Sequence, residues 1–215
     1  MKKTSWSFSS LMDYERCPHT QSFGYTKGER INNEAAQRGI DMHAKCADYI
    51  LHGGEVPAPG FPWDSLANAK PEKKLGFDRD WNLYDYKTAW LKVIPDAYID
   101  STPGEITIID FKTGKREYKE IKHSQQMQLY SAALINLYPE AKAVHTELWY
   151  LDNPGHIHRV SSTATRLTGI RGRIHLRADT MLNDKELKPK PSKSNCRFCN
   201  HNPTQGGSCE FAFEE

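Results

Sequence analysis

Ile106-Thr107-Ile108-Ile109-Asp110-Phe111-Lys112-Thr113-Gly114 contains the most β-branched run in the 215-residue chain. Branching at Cβ stiffens χ1 and favours the pleated surface of a sheet, so Ile106 to Lys112 reads as a strand. Side chains alternate across a strand, which puts Asp110 and Lys112 on the same face at its end. Charged groups directly after two isoleucines are costly unless they bind something or meet solvent.

Upstream, Thr102-Pro103-Gly104 forms a turn into this strand, and three strand-like segments precede it: Glu72 to Asp78, Trp81 to Tyr86 and Trp90 to Asp100. Asn32 to Leu51 reads as a helix, with Ala36, Gly39 or Ile40, His43, Ala47 and Ile50 as its apolar stripe. Ser9 or Ser10 is placed to cap a short first helix carrying Leu11, Tyr14 and Cys17. Downstream, His123 to Tyr138 reads as a helix with Met127, Tyr130, Leu134 and Leu137 on one face. Val144 to Leu151 and His156 to Ser162 form a hairpin about Asn153-Pro154-Gly155, and Thr165 caps a basic helix reaching Leu182. This order predicts an α/β fold with a central mixed sheet flanked by helices.

Asp96 lies in the strand-like segment before Asp110, next to Pro95. Strands pair about 4.8 Å apart, so Asp96 and Asp110 can share one hard cation, and Pro95 suits a strand edge or bulge there. Two carboxylates and a lysine are what metal-assisted phosphodiester hydrolysis needs: ligands for a divalent ion, and an ammonium to orient water or stabilise the transition state. A surface Asp–Lys pair on an edge strand fits the same spacing. His43 alone reads as a core histidine, and Gln126 and Tyr130, one helical turn apart, as a packing pair. Glu72 reads as a solvated strand residue and Asp100 as a strand end.

Hydrophobic residues make up 38% of the chain and mean hydropathy is −0.73, values of a soluble globular protein. No apolar run approaches the roughly 20 residues of a membrane helix, so no membrane association is expected. The start, MKKTSWSFSS, lacks the apolar stretch of a secretory signal. A cytoplasmic location is expected. Net charge is +2, yet the stretch from Gly155 to Asn200 holds ten Lys or Arg against three acids, for a local +7. That suits either phosphate-backbone binding or a solvated basic face. Trp6, Tyr25 and Trp149 are candidates for stacking on bases, and equally for the core. A homo-oligomer stays open.

The five cysteines are Cys17, Cys46, Cys196, Cys199 and Cys209. An odd count without an export signal argues against a disulfide framework. Cys196 and Cys199 form a CxxC pair, and with Cys209 and His201 they could build a local Zn²⁺ site. Cys46, on the apolar side of its helix, reads as an ordinary buried thiol.

Taken together, Pro95-Asp96 followed by Asp110-Phe111-Lys112-Thr113-Gly114 resembles the signature of the PD-(D/E)XK nuclease superfamily. Gly39-Ile40-Asp41-Met42-His43 resembles the GxxxH helix motif of its RecB-like branch, and Gln126-Met127-Gln128-Leu129-Tyr130 the QxxxY motif. Ser10-Leu11, Tyr14 and Cys17-Pro18 are similar to that branch's N-terminal segment, notably in the CRISPR-associated RecB-like exonucleases. The resemblance implies a restriction-endonuclease-like core in a single domain over residues 1–215. It implies a Mg²⁺- or Mn²⁺-dependent deoxyribonuclease, an exonuclease by preference, acting on single-stranded DNA or on free ends in replication, repair, recombination or defence. His43, Asp96, Asp110 and the Phe111 carbonyl would bind metal. Lys112 would be catalytic, with Gln126 and Tyr130 in support. Cys17, Cys196, Cys199 and Cys209 would hold a 4Fe-4S cluster through which residues 1–25 and 189–215 form a clasp. The gap from Cys199 to Cys209 is longer than this pattern usually has, which keeps Zn²⁺ with His201 as the alternative. A non-catalytic nucleic-acid-binding protein with a structural zinc or iron–sulfur site is the competing function.

Overall fold

The computed structural model describes residues 4–23, 34–100, 102–114 and 120–213. In chain order its elements are helices and strands α1 (Phe8–Arg16), α2 (Glu34–His52), β1 (Lys70–Pro71), β2 (Leu75–Phe77), β3 (Leu83–Tyr84), β4 (Leu91–Val93), β5 (Ala97–Ile99), β6 (Glu105–Lys112), α3 (Glu120–Leu134), β7 (Ala143–Tyr150), β8 (Ile157–Thr163), α4 (Ala164–Asn183) and α5 (Lys193–Cys196). The chain divides into two compact units, one of Glu34–Ile174 and one of Met1–Asn33 with His175–Glu215.

The larger unit is built on a five-stranded mixed sheet in the order β1-β5-β6-β7-β8. β6 and β7 run parallel, and α3 supplies the crossover such a pair requires. The other neighbours are antiparallel. Ile106, Ile108, Ile109 and Phe111 of β6 are all buried, as expected for a central strand covered on both faces. Helices flank this mixed sheet, as the sequence predicts.

One face carries an aromatic core. Phe111 and Trp149 meet Phe61 and Trp63 with ring centroids 5.2–5.7 Å apart, and the Trp63 indole N–H donates to the Ala58 carbonyl at 2.7 Å. α2 lies against this core through Met42, Cys46, Tyr49 and Ile50. Of the stripe expected over Ala36, Gly39 or Ile40, His43, Ala47 and Ile50, Ile50 packs there as expected, and the other contacts come from Met42, Cys46 and Tyr49 instead. Ala36 and Ile40 are exposed, so the buried face is turned by part of a turn from the expected one.

The segment from Trp90 to Asp100, expected as one strand, is two. β4 joins a three-stranded sheet in the order β3-β2-β4, while β5 joins the large sheet. The break is Ile94-Pro95-Asp96, where proline cannot donate to a ladder. Glu72 lies just past β1 in an exposed turn with φ +44°. The α4 cap is Thr163, whose hydroxyl accepts from the Arg166 N–H, rather than Thr165.

In the smaller unit, Ser7 caps α1 and forms a capping box with Ser10, two or three residues ahead of the expected cap. Residues from the two chain ends hold each other. The Tyr14 hydroxyl donates to Asp184 at 2.9 Å, Arg177 forms a two-point ion pair with Glu15, and the Asn195 amide donates to the Arg16 carbonyl.

Trp6 and Trp149 are 2% and 0% exposed, so both are core residues and unavailable for stacking on bases. Tyr25 lies outside the described residues. No helix among the described residues is long and apolar enough to cross a membrane. Trp149→Ala is expected to lower unfolding free energy by about 3–5 kcal/mol, read from the denaturant midpoint, since the surrounding rings cannot collapse into the space.

Candidate functional site

The register of β5 on β6 pairs Ala97 with Ile109, so one residue further Asp96 stands across from Asp110. Leaving the ladder at Pro95 frees the Asp96 carboxylate to turn inward. Its Oδ2 accepts the Phe111 N–H at 2.7 Å, and its Oδ1 lies 3.3 Å from His43 Nδ1 on α2. Asp110 is fully buried, and the partner its carboxylate finds is the Lys112 ammonium. Lys112 Nζ lies 2.5 Å from its Oδ2 as an ion pair. Lys112 also donates to Gln126 Oε1 at 3.2 Å, and Gln126 Nε2 donates to the Tyr130 hydroxyl at 3.0 Å. The i,i+4 spacing on α3 thus sets which end of the Gln126 amide faces the lysine.

His43, Asp96, Asp110, Lys112, Gln126 and Tyr130 consequently form one connected group. Phe111 contributes its backbone N–H to it, while its ring belongs to the core. Burial, then the neighbouring Asp96 carboxylate, push the Asp110 carboxyl up to about 6 against the pull of Lys112. Burial pulls His43 down, but the Asp96 and Asp110 carboxylates outweigh it and its net shift is upward. Burial raises the Tyr130 hydroxyl well above its usual range, which keeps it a neutral partner for Gln126.

Among the described residues, no three His, Cys, Asp or Glu side chains converge closely enough to enclose a metal ion. The donor chemistry nevertheless suits a hard cation. Two carboxylates and an imidazole share the site, and the buried Asp110 Oδ1 keeps acceptor capacity beyond the Lys112 contact at Oδ2.

Cys17, Cys196, Cys199 and Cys209 line one pocket in the smaller unit. Backbone N–H groups point at three of these sulfurs: Lys190 to Cys17 at 3.3 Å, Phe213 to Cys196 at 3.4 Å, and His201 to Cys199. The long Cys199–Cys209 gap folds back on itself. Asn202 caps a turn over Pro203–Gln205, and Gly207 packs so tightly that a Cβ there would fall 2.2 Å from the His201 carbonyl carbon. Cys209 N–H then donates to the His201 carbonyl at 2.8 Å. The His201 ring stacks flat on Phe23, with centroids 4.1 Å apart. Cys46 stands apart from this group in the core of the larger unit, its thiol pushed up to about 12 by burial.

The sequence reading missed two residues near the active group. Arg38, just before the GxxxH glycine, pairs with Asp152, which also accepts the Gly114 N–H at 2.6 Å. No local spacing links positions so far apart. The basic stretch is also less free than its composition suggests. Arg159 pairs with Glu147, Arg171 bonds Asn136, Arg177 pairs with Glu15 and Lys188 with Glu186. Asp100, a strand-end residue as expected, is held by Lys70 and Tyr138.

A sequence model of the PD-(D/E)XK nuclease superfamily matches residues 63–204, and the chain belongs to that superfamily. No curated protein matches the chain. Among solved structures, that of SSO0001 aligns over 100% of this chain and 90% of its own, at 16% identity and a TM-score of 0.56. An alkaline exonuclease (LHK-Exo) from Laribacter hongkongensis aligns over 84% of this chain and 89% of its own, at 13% identity and a TM-score of 0.45.

Because Asp110 holds its proton more tightly folded than unfolded, its contribution favours folding below the ordinary aspartate value of 3.8 and is lost as pH rises through about 6. In EDTA at pH 8, Asp110→Asn is therefore expected to stabilise the protein by about 1–3 kcal/mol, with the gain shrinking toward pH 5. Denaturant melts of both proteins at the two pH values check this.

Proposed function

We propose that the protein is a Mg²⁺- or Mn²⁺-dependent deoxyribonuclease of the RecB-like branch, working as an exonuclease on single strands or free DNA ends. The observation that carries the reading is the fully buried Asp110 carboxylate, with Asp96 across the strand pair and Lys112 paired to it. The RecB-like and exonuclease parts rest on the GxxxH, Asp, DxK and QxxxY motifs in that order.

Asp96 and Asp110 would hold the cation, with His43 and the Phe111 carbonyl as further ligands. When bound, Mg²⁺ or Mn²⁺ makes a water acidic enough to attack and offsets charge growing on the scissile phosphate. Lys112 would orient an attacking water and offset charge on the transition-state oxygens through its ammonium. Gln126, steadied by Tyr130, gives the ammonium a second partner besides Asp110. Arg166 and Arg173 on α4 are available to the phosphate backbone in this reading, whereas the arginines tied into ion pairs serve the fold.

Lys112→Ala should lower cleavage of end-labelled DNA in Mg²⁺ or Mn²⁺ by at least about a hundredfold, with metal binding retained. Equal activity in the variant would overturn the mechanism. Digestion of closed circular DNA as fast as linear DNA would overturn the exonuclease reading. Tight DNA binding with no cleavage in either metal would favour the binding-protein alternative.

The pocket of four cysteines supports a second part of the proposal, a 4Fe-4S cluster clasping the two chain ends. Backbone N–H groups directed at the sulfurs are the kind of contact that surrounds the thiolate ligands of an iron–sulfur cluster. His201 stacks on Phe23 and gives its backbone N–H to Cys199, an arrangement that suits a neighbour of the cluster better than a zinc ligand. Anaerobically purified protein should be brown and should lose its iron on Cys17→Ala. Stoichiometric zinc, unaffected by Cys17→Ala and lost on His201→Ala, would overturn the cluster in favour of zinc.

A further inference from the structure

α2 is secured to the core through Met42, Cys46, Tyr49 and Ile50, but its first residues, Glu34 to Arg38, are exposed. Apolar burial does not hold that end. His43 comes only five residues after Arg38, about one and a half helical turns. Its imidazole, 3.3 Å from Asp96, therefore stands between the apolar anchor that begins at Met42 and this unburied start of α2.

The attachment is ionic and converges on the strand end that carries Lys112. Arg38 Nη1 donates to Asp152 Oδ2 at 2.9 Å, and its second terminal nitrogen donates to Oδ1, a two-point fork. The same Asp152 carboxylate accepts the Gly114 N–H at 2.6 Å. Next to Asp152 in sequence, the Leu151 N–H donates to the Lys112 carbonyl at 2.9 Å. Gly39 completes the contact, because its missing side chain lets the helix approach to where an added Cβ would lie 3.4 Å from the Thr113 hydroxyl. One carboxylate thus joins the His43 helix to the backbone immediately after Lys112. Arg38 and Gly114 each lower the pKa of Asp152, so it stays ionised in this role.

We propose that Arg38 and Asp152 are positioning residues, an ionic clamp that sets His43 against the Asp96–Asp110–Lys112 strand ends and so tunes metal affinity. The inference rests on the metal-dependent nuclease reading. Both side chains are solvent-accessible, so the pair adds little to global stability, and its loss shows in site geometry instead. Partners that orient a metal ligand typically shift metal affinity by about 10- to 100-fold.

Mn²⁺ binding is titrated by the electron paramagnetic resonance of the free ion, without DNA, alongside cleavage of end-labelled DNA as a function of Mn²⁺. Arg38→Ala and Asp152→Asn, which keeps an oxygen for Gly114, should each weaken Mn²⁺ binding by about tenfold. The rate at saturating Mn²⁺ should stay within about twofold of wild type, with thermal midpoints nearly unchanged. Arg38→Lys should recover part of the affinity. In a His43→Ala background, Arg38→Ala should have no further effect, because both changes act through one ligand. Undiminished Mn²⁺ affinity in the clamp variants, or a full additional loss in the His43→Ala background, would overturn the proposal while the nuclease reading stands. Wild-type protein that binds Mn²⁺ but cleaves no DNA would overturn the nuclease reading, and the Mn²⁺ titrations would still decide the clamp.

Discussion

Asp110 sits at the end of the central strand with no solvent exposure and the Lys112 ammonium as its partner. Placing a carboxylate there costs free energy that neither β6 nor its apolar neighbours return. The structure offsets the cost only in part, through one ammonium on the same strand, and it adds a second carboxylate on the adjacent strand that raises the cost again. A fold that keeps such an arrangement retains a strained electrostatic site in a low-dielectric setting, where a bound cation and a directed lysine exert far more influence than in water. Much of the surrounding architecture follows from that choice. α3 supplies Gln126 and Tyr130 to hold the lysine, and α2 supplies His43 to face the second carboxylate.

The two-sheet arrangement serves the same end. Had Trp90 to Asp100 continued as one strand, Asp96 would have pointed along a regular pleat. The break at Pro95 sends the two halves into different sheets and lets Asp96 take the Phe111 N–H with one oxygen and His43 with the other. The smaller unit solves a different problem, since its terminal segment has few apolar side chains to bury. Hydrogen bonds and ion pairs between the chain ends do some of the ordering, and backbone N–H groups gather around the sulfurs of a shared pocket. The insert between Cys199 and Cys209, which looked like a departure from the expected spacing, is a closed turn that returns Cys209 to His201.

Sequence reading reached far into this site because the residues that carry the chemistry also obey local periodicities. β-branching marked β6, alternation put Asp110 and Lys112 on one side, and helical spacing joined Gln126 to Tyr130. The apolar stripe of α2 was misplaced by part of a turn, because periodicity finds a face but not which of two adjacent faces meets the core. Trp149 was a candidate for base stacking until the packing of Phe61, Trp63 and Phe111 around it showed it to be core.

By itself, then, the sequence determined the α/β class, the strand that ends in Asp110 and Lys112, and the inventory of carboxylates, imidazoles and thiols. Each of these depends on residue type and short-range spacing. Tertiary structure alone decided that Asp96 stands across from Asp110, that Lys112 reaches Gln126, that Arg38 meets Asp152 at the strand end, and that Cys17 lines the same pocket as the three C-terminal cysteines. Those pairings join residues from 14 to more than 170 positions apart, where register and packing rather than local preference select the partner.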